Sequence, residues 1–232
     1  YELDYSPATI RGYFKKLGDE GFLAQEHISS GRTPTNEALK QYWIGKLNFS
    51  ISGVNIKAIE FLANKIGVTV FLKKEKSDIL QNIINVENRY IILEFTTFVV
   101  NIKFNPALYK FLSDFLQSSL KDILKISKDV GAYELYSSIN YTLQSSDFDI
   151  FNYKEFLSLA LNFDFDEFTI NKFLKGTILD ELKEGLYFDG FLPQNYIGIC
   201  KFCKINNEDY KMFVVGELSK DYEYFFEQII NF

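Results

Sequence analysis

Between Ser6 and Thr35 the chain reads SPATIRGYFKKLGDEGFLAQEHISSGRTPT, and its chemistry-bearing residues are cations and hydroxyls set at helical spacing. Ile10, Tyr13, Phe14 and Leu17 recur at i, i+3, i+4 and i+7, which leaves Ala8, Thr9, Arg11, Gly12, Lys15 and Lys16 facing the other way. That small, polar, basic face suits the groove of a nucleic acid. Small residues near a helix N-terminus let the backbone come close, Thr9 and Arg11 reach base edges or phosphates, and the two lysines reach phosphate further along. The helix dipole favours phosphate at the same end. The chemistry is recognition rather than bond-making.

Other reactive types are sparse. His27 is the one histidine, with no reactive cysteine and no Ser/Asp triad pattern beside it, so it reads as a packing or phosphate contact. Cys200 and Cys203 form a CxxC, but inside an apparent strand rather than at a helix N-terminus. Strand residues three apart point to opposite faces, and no second cysteine pair completes a tetrahedral zinc site. They read as free structural thiols, suited to a reducing cytoplasm. Asp147, Asp149, Asp164, Asp166 and Glu167 alternate with phenylalanines, which exposes the acids and buries the rings. A calcium loop would need a regular ligand series with a glycine at its bend. The sequence therefore predicts no enzyme, no catalytic residue, no cofactor and no metal.

The elements that must position the basic face are signposted. Ser6 is a favoured N-cap and Pro7 suits the first helical position, so a helix is expected from there to Gly18. Gly21 breaks the chain, Phe22 to His27 forms a strand, Ser29-Ser30-Gly31 turns, and Arg32-Thr33 begins the return with Arg32 at the tip. Pro34 ends the strand. Thr35 caps a second helix with Ala38, Leu39, Tyr42, Trp43 and Leu47 on one face, and the reading module is expected to end near Leu47.

Downstream, Ile59 to Ile66 reads as helix, and Val68 to Leu72, Ile79 to Val86, Tyr90 to Phe95 and Phe98 to Phe104 read as strands, with a turn at Asn88. Pro106 to Ile126, Phe156 to Leu161 and Phe168 to Leu182 are helical in pattern. Tyr196 to Lys204 and Tyr210 to Val215 are strands around Asn206-Asn207, and Asp221 to Ile230 is a closing helix. The class is mixed α+β, with strands on both sides of a helical block, and the two halves of the sheet must meet in space.

Length and an apolar content of 47% suffice for several small cores, and charges such as Glu94 and Lys103 interrupt every apolar run before it could span a bilayer. No signal peptide is evident. Six Lys or Arg balance six Asp or Glu through residue 46, so the net charge of -6 lies entirely beyond the basic face. Any nucleic-acid contact must come from placement rather than bulk charge.

SPATIR, the helix after it, and the H-x-SSGR-x-PT run resemble the HrcA family of bacterial heat-inducible transcription repressors. Gly131-Ala132-Tyr133-Glu134-Leu135 and VVGELSKDYEYFFEQI (Val214 to Ile230) are similar in pattern, with Glu217 standing where the family usually has proline. The resemblance implies a winged helix-turn-helix domain binding double-stranded DNA at the CIRCE inverted repeat as a homodimer, with DNA contacts at Ser6, Ala8, Thr9, Arg11, Gly12, Lys15, Lys16, His27, Ser29, Ser30, Gly31, Arg32 and Thr33. It implies a partial winged-helix domain at 1–47, preceded by supporting helices, and a GAF-like domain at 48–104 and 185–232. The inserted dimerisation segment at 105–184 would present Phe111, Phe115, Leu116 and Leu120. It further implies a GroEL-type chaperonin partner and a cytoplasmic protein, nucleoid-associated when bound. The alternative is a winged-helix regulator whose GAF-like domain senses a small molecule, and a third class is an enzyme or scaffold carrying a chance motif.

Overall fold

The computed structural model describes residues 5–25, 31–47, 50–51, 53–75, 77–143 and 148–231. The capping signals act as the sequence predicts. The Ser6 hydroxyl accepts the Thr9 N–H at 3.2 Å, and α1 runs Pro7–Asp19, one residue past the expected stop at Gly18. Gly21, at φ +79°, reverses the chain into β1 (Leu23–Ala24), which pairs antiparallel with β2 (Thr33–Pro34). Thr35 then caps α2 (Asn36–Lys46), accepting the Ala38 N–H at 3.2 Å.

The chain continues through α3 (Ile56–Ile66), β3 (Thr69–Lys74), β4 (Leu80–Val86), β5 (Tyr90–Phe95), β6 (Val99–Lys103), α4 (Pro106–Ser113), α5 (Leu120–Asp129) and α6 (Tyr133–Leu143). It ends with β7 (Phe148–Phe151), α7 (Tyr153–Asn162), α8 (Glu167–Leu174), α9 (Ile178–Glu181), β8 (Gly185–Tyr187), β9 (Tyr196–Ile205), β10 (Glu208–Glu217) and α10 (Tyr222–Asn231). These divide into two units, Tyr1–Lys73 with Phe148–Phe232, and Lys74–Asp147.

The larger unit is built on a five-stranded sheet in the order β7-β3-β10-β9-β8, in which β7/β3, β10/β9 and β9/β8 are antiparallel. Asn206 and Asn207, both at positive φ, make the tight turn between β9 and β10. Both faces of this sheet are covered, which is why its central strands are apolar almost throughout. Ile197, Ile199, Cys203 and Ile205 face a core with α2, α3 and α10, whereas Cys200, Phe213 and Val215 face a second core with Phe71, Phe156 and Phe173. Phe71 meets the Phe156 and Phe173 rings at 5.4 and 5.3 Å, in edge-on and tilted geometry. Gly198 makes room for this packing, since a Cβ there would lie 2.5 Å from the Phe213 ring.

The smaller unit pairs β4, β5 and β6 antiparallel and packs one face of that sheet, through Leu80, Ile91, Leu93, Phe95, Val100 and Ile102, against Leu112, Leu120, Ile123, Leu135 and Ile139 of α4 to α6.

Four expectations need correction. The strands between 68 and 104 do not form one sheet with the C-terminal strands: β3 alone joins them, because tight turns at Glu87-Asn88 and Thr96-Thr97 close β4–β6 locally and α4 to α6 cover their apolar face. The compact units also divide the chain differently from the expected segment at 105–184. Phe148, Phe156 and Phe173 pack on Phe71 and Phe213, which draws β7 to α9 into the larger unit. The expected helix over Pro106 to Ile126 breaks after Ser113, where Gln117 takes φ +67° and pairs its N–H with the Leu80 carbonyl before Ser119 caps α5. Likewise Gly176, at φ +67°, divides α8 from α9 within the expected Phe168 to Leu182 helix.

Candidate DNA interface

No residue of α1 is buried. Ser6, Ala8, Thr9, Arg11, Gly12, Lys15 and Lys16 are exposed, and a Cβ at Gly12 would meet nothing within 4 Å. The Thr9 and Ser6 hydroxyls lie 2.9 Å apart, so the cap also orients the first side chain of the face. Lys16 stands 3.8 Å from Glu20 one turn on, an exposed pair of little energetic weight. The opposite, apolar face is open too: Tyr13, Phe14 and Leu17 are 54%, 45% and 36% exposed.

The hairpin brings Gly31, Arg32 and Thr33 to the surface beside this helix. His27, Ser29 and Ser30 lie outside the described residues. Thr35 fastens the assembly at its base, its N–H donating to the Phe22 carbonyl at 3.0 Å and its hydroxyl to the Gly21 carbonyl at 2.9 Å. Thr35 thus ties the start of α2 to the chain that leaves α1.

α2 is where sequence reasoning missed most. The Trp43 indole N–H donates to the Leu218 carbonyl at 2.8 Å, and its ring stands edge-on to Tyr222 at 5.2 Å. Leu47 is buried in the same core. Around this anchor Lys40 pairs with Asp189 at 2.8 Å, while Tyr42 and Lys46 both engage Glu223. The Tyr42 hydrogen bond, followed by the Lys46 ammonium, holds the Glu223 carboxyl below the usual carboxylate range, and the same bond pushes the Tyr42 phenol up. A module edge at Leu47 would cut through the core of the larger unit. The apolar face of α2 was legible, its partner was not.

The expected dimerisation residues fare unevenly. Leu120 is 2% exposed and belongs to the smaller unit's core, so it has no surface to give a partner, and Phe111 and Phe115 pack against that core with their rings 4.8 Å apart. Leu116 is 46% exposed.

The remaining chemistry is structural. Cys200 and Cys203 form no disulfide and are buried on opposite faces of β9, and burial, with a smaller contribution from Asp209, pushes the Cys203 thiol up to about 12. Asp166 caps α8, and the hydroxyl and N–H of Thr169 lower its pKa. Asp149 is exposed on β7, and Asp147 lies outside the described residues. Among the described residues no group of His, Cys, Asp and Glu could hold a metal, and no helix is long and apolar enough to cross a membrane. A cleft lined by Thr69, Glu155, Tyr196 and Glu217 has space on the order of a water molecule or two.

Residues 43–232 match the family model of the HrcA C-terminal domain. Heat-inducible transcription repressor HrcA from each of two Helicobacter pylori strains is 31% identical to this chain, covering 98% of it and 83% of the relative. The protein of the same name from Chlamydia pneumoniae is 56% identical over 39 residues, 17% of this chain and 10% of its own length. A solved structure of a hypothetical protein aligns with 100% of this chain and 87% of its own at 16% identity, with a TM-score of 0.47.

Proposed function

The chain belongs to the HrcA family, and from that premise we propose that it is a heat-shock transcription repressor, not an enzyme. It binds the CIRCE inverted repeat as a homodimer and is released on heat stress. α1 enters the major groove, two copies occupy adjacent turns, and the β1–β2 hairpin reaches over the backbone as a wing. Thr9 and Arg11 read base edges. Lys15, Lys16, Arg32 and the hydroxyls of Ser29 and Ser30 hold phosphate, and Ala8, Gly12, Gly31 and Thr33 let the backbone approach. The observation that carries this reading is the capped α1, which has no buried residue and an exposed basic face, tied through Thr35 to a hairpin whose exposed end includes Arg32.

The body serves as a GAF-like platform in the cytoplasm, and bound operator blocks the polymerase by exclusion. A GroEL-type chaperonin maintains the DNA-competent form, so clients that occupy it on heating release the operon. Two copies of a modest contact set give specific affinity, and the acidic remainder of the chain limits adhesion to other DNA. The test is titration of the intact protein onto a CIRCE repeat and onto scrambled DNA, with sedimentation in parallel. Preference for the repeat at a stoichiometry of one dimer supports the reading, and equal weak binding by a monomer overturns it.

A further inference from the structure

We propose that Trp43 is a positioning residue for DNA recognition. Through its hold on the Leu218 carbonyl it sets the angle at which α1 and the hairpin leave the body, and with it the separation of the two reading helices in a dimer. The inference rests on the DNA-binding reading above and adds to it a residue far from any base.

The connection is short and stiff. β2 runs directly into the Thr35 cap of α2, and Thr35 is bonded to both Gly21 and Phe22, so the reading elements follow the N-terminal end of α2. Trp43 lies eight residues on, about 12 Å along the helix axis. A tilt of about 10° at Trp43 would shift the Thr35 end by about 2 Å and the tip of α1 by more, enough to break hydrogen bonds to base edges.

The far side of the joint is equally fixed. Leu218 is buried, its own N–H donates to the Asn195 carbonyl at 2.8 Å, and the neighbouring Glu217 carbonyl accepts the Tyr222 hydroxyl at 2.8 Å. The acceptor that Trp43 uses is therefore locked to the start of β9 and the start of α10 at once. An apolar ring could fill the same space, but the indole N–H adds a donor that fixes the rotation of α2 about its axis. On the exposed flanks, Lys40 with Asp189, and Tyr42 and Lys46 with Glu223, resist the same tilt.

The experiment compares the intact protein with Trp43→Phe and Glu223→Ala on three labelled DNAs: the inverted repeat, the same repeat with two base pairs added between its halves, and scrambled DNA. Expected is unchanged scrambled-DNA binding, a loss of about tenfold on the native repeat, and a weakened preference for native over altered spacing. A merely structural contribution would leave the spacing preference intact. Equal losses on all three DNAs, or an unchanged preference in a folded Trp43→Phe, overturns the proposal. Should Trp43→Phe not fold, Glu223→Ala, at a half-buried position, decides by the same criteria. Unmodified protein that binds repeat and scrambled DNA alike defeats the DNA reading itself, and this inference with it.

Discussion

Arg11 and Lys15 stand one turn apart on an exposed face of α1, and the proposed reading gives them different kinds of contact. Arg11→Ala should cost about 1–3 kcal/mol at the base it reads and relax preference there, whereas Lys15→Ala should weaken all DNA alike and lower the salt slope by about one. Titration of both variants on operator and random DNA checks this, and equal losses on both DNAs for both variants would contradict the assignment. Burial on opposite faces of β9 should also keep Cys200 and Cys203 unreactive toward alkylating reagents in the folded protein, and the Cys203 thiol, pushed up to about 12, holds almost no thiolate near neutrality. Mass spectrometry before and after unfolding would show two modifications only in the second case. These residue-scale features were legible because local periodicity decides which way a side chain points. The partner of Trp43 was not, because Leu218 lies 175 residues away and a carbonyl leaves no mark in the local pattern.

Among the elements, caps and glycines bracket the expected behaviour. Thr35→Ala removes the cap of α2 and its tie to Gly21 and should cost about 0.5–2 kcal/mol, read as a lower Tm, with DNA affinity falling further than stability alone explains. Gly198→Ala should cost about 1–3 kcal/mol by driving a methyl into Phe213, whereas Gly12→Ala, in open space inside α1, should stabilise by roughly 0.5–1 kcal/mol. Calorimetry of the pair tests both signs. The tie between α2 and α10 carries a pH dependence. A carboxyl held low when folded gives stability that is present above its ordinary range and lost as pH falls through its depressed value, so acid should loosen this joint. Glu223→Gln should flatten the Tm profile between about pH 7 and about pH 3. Most strands and the closing helix could be read from periodicity and turn residues. The break after Ser113 could not, because it depends on Gln117 and Ser118 bonding back to Leu80, a contact no helical pattern announces.

For the molecule as a whole, the sequence located the neutral opening and the acidic remainder but not the division into units, since β4 to β6 read as strands whichever sheet they join. Which sheet they join depended on where α4 to α6 lay their apolar faces. In the proposed reading heat acts steeply, because a marginally stable dimer would lose its folded population over a few degrees. Trp43, the sole tryptophan, reports the joint between α2 and the body by its fluorescence. A DNA-bound fraction that stayed constant across the heat-shock range without chaperonin would exclude direct sensing. The central claim is tested most directly by titrating the intact protein onto the CIRCE repeat and onto scrambled DNA of equal length at several salt concentrations. The account predicts tight binding to the repeat, clear discrimination, and affinity that falls steeply with salt. Equal and weak binding to both DNAs would contradict it.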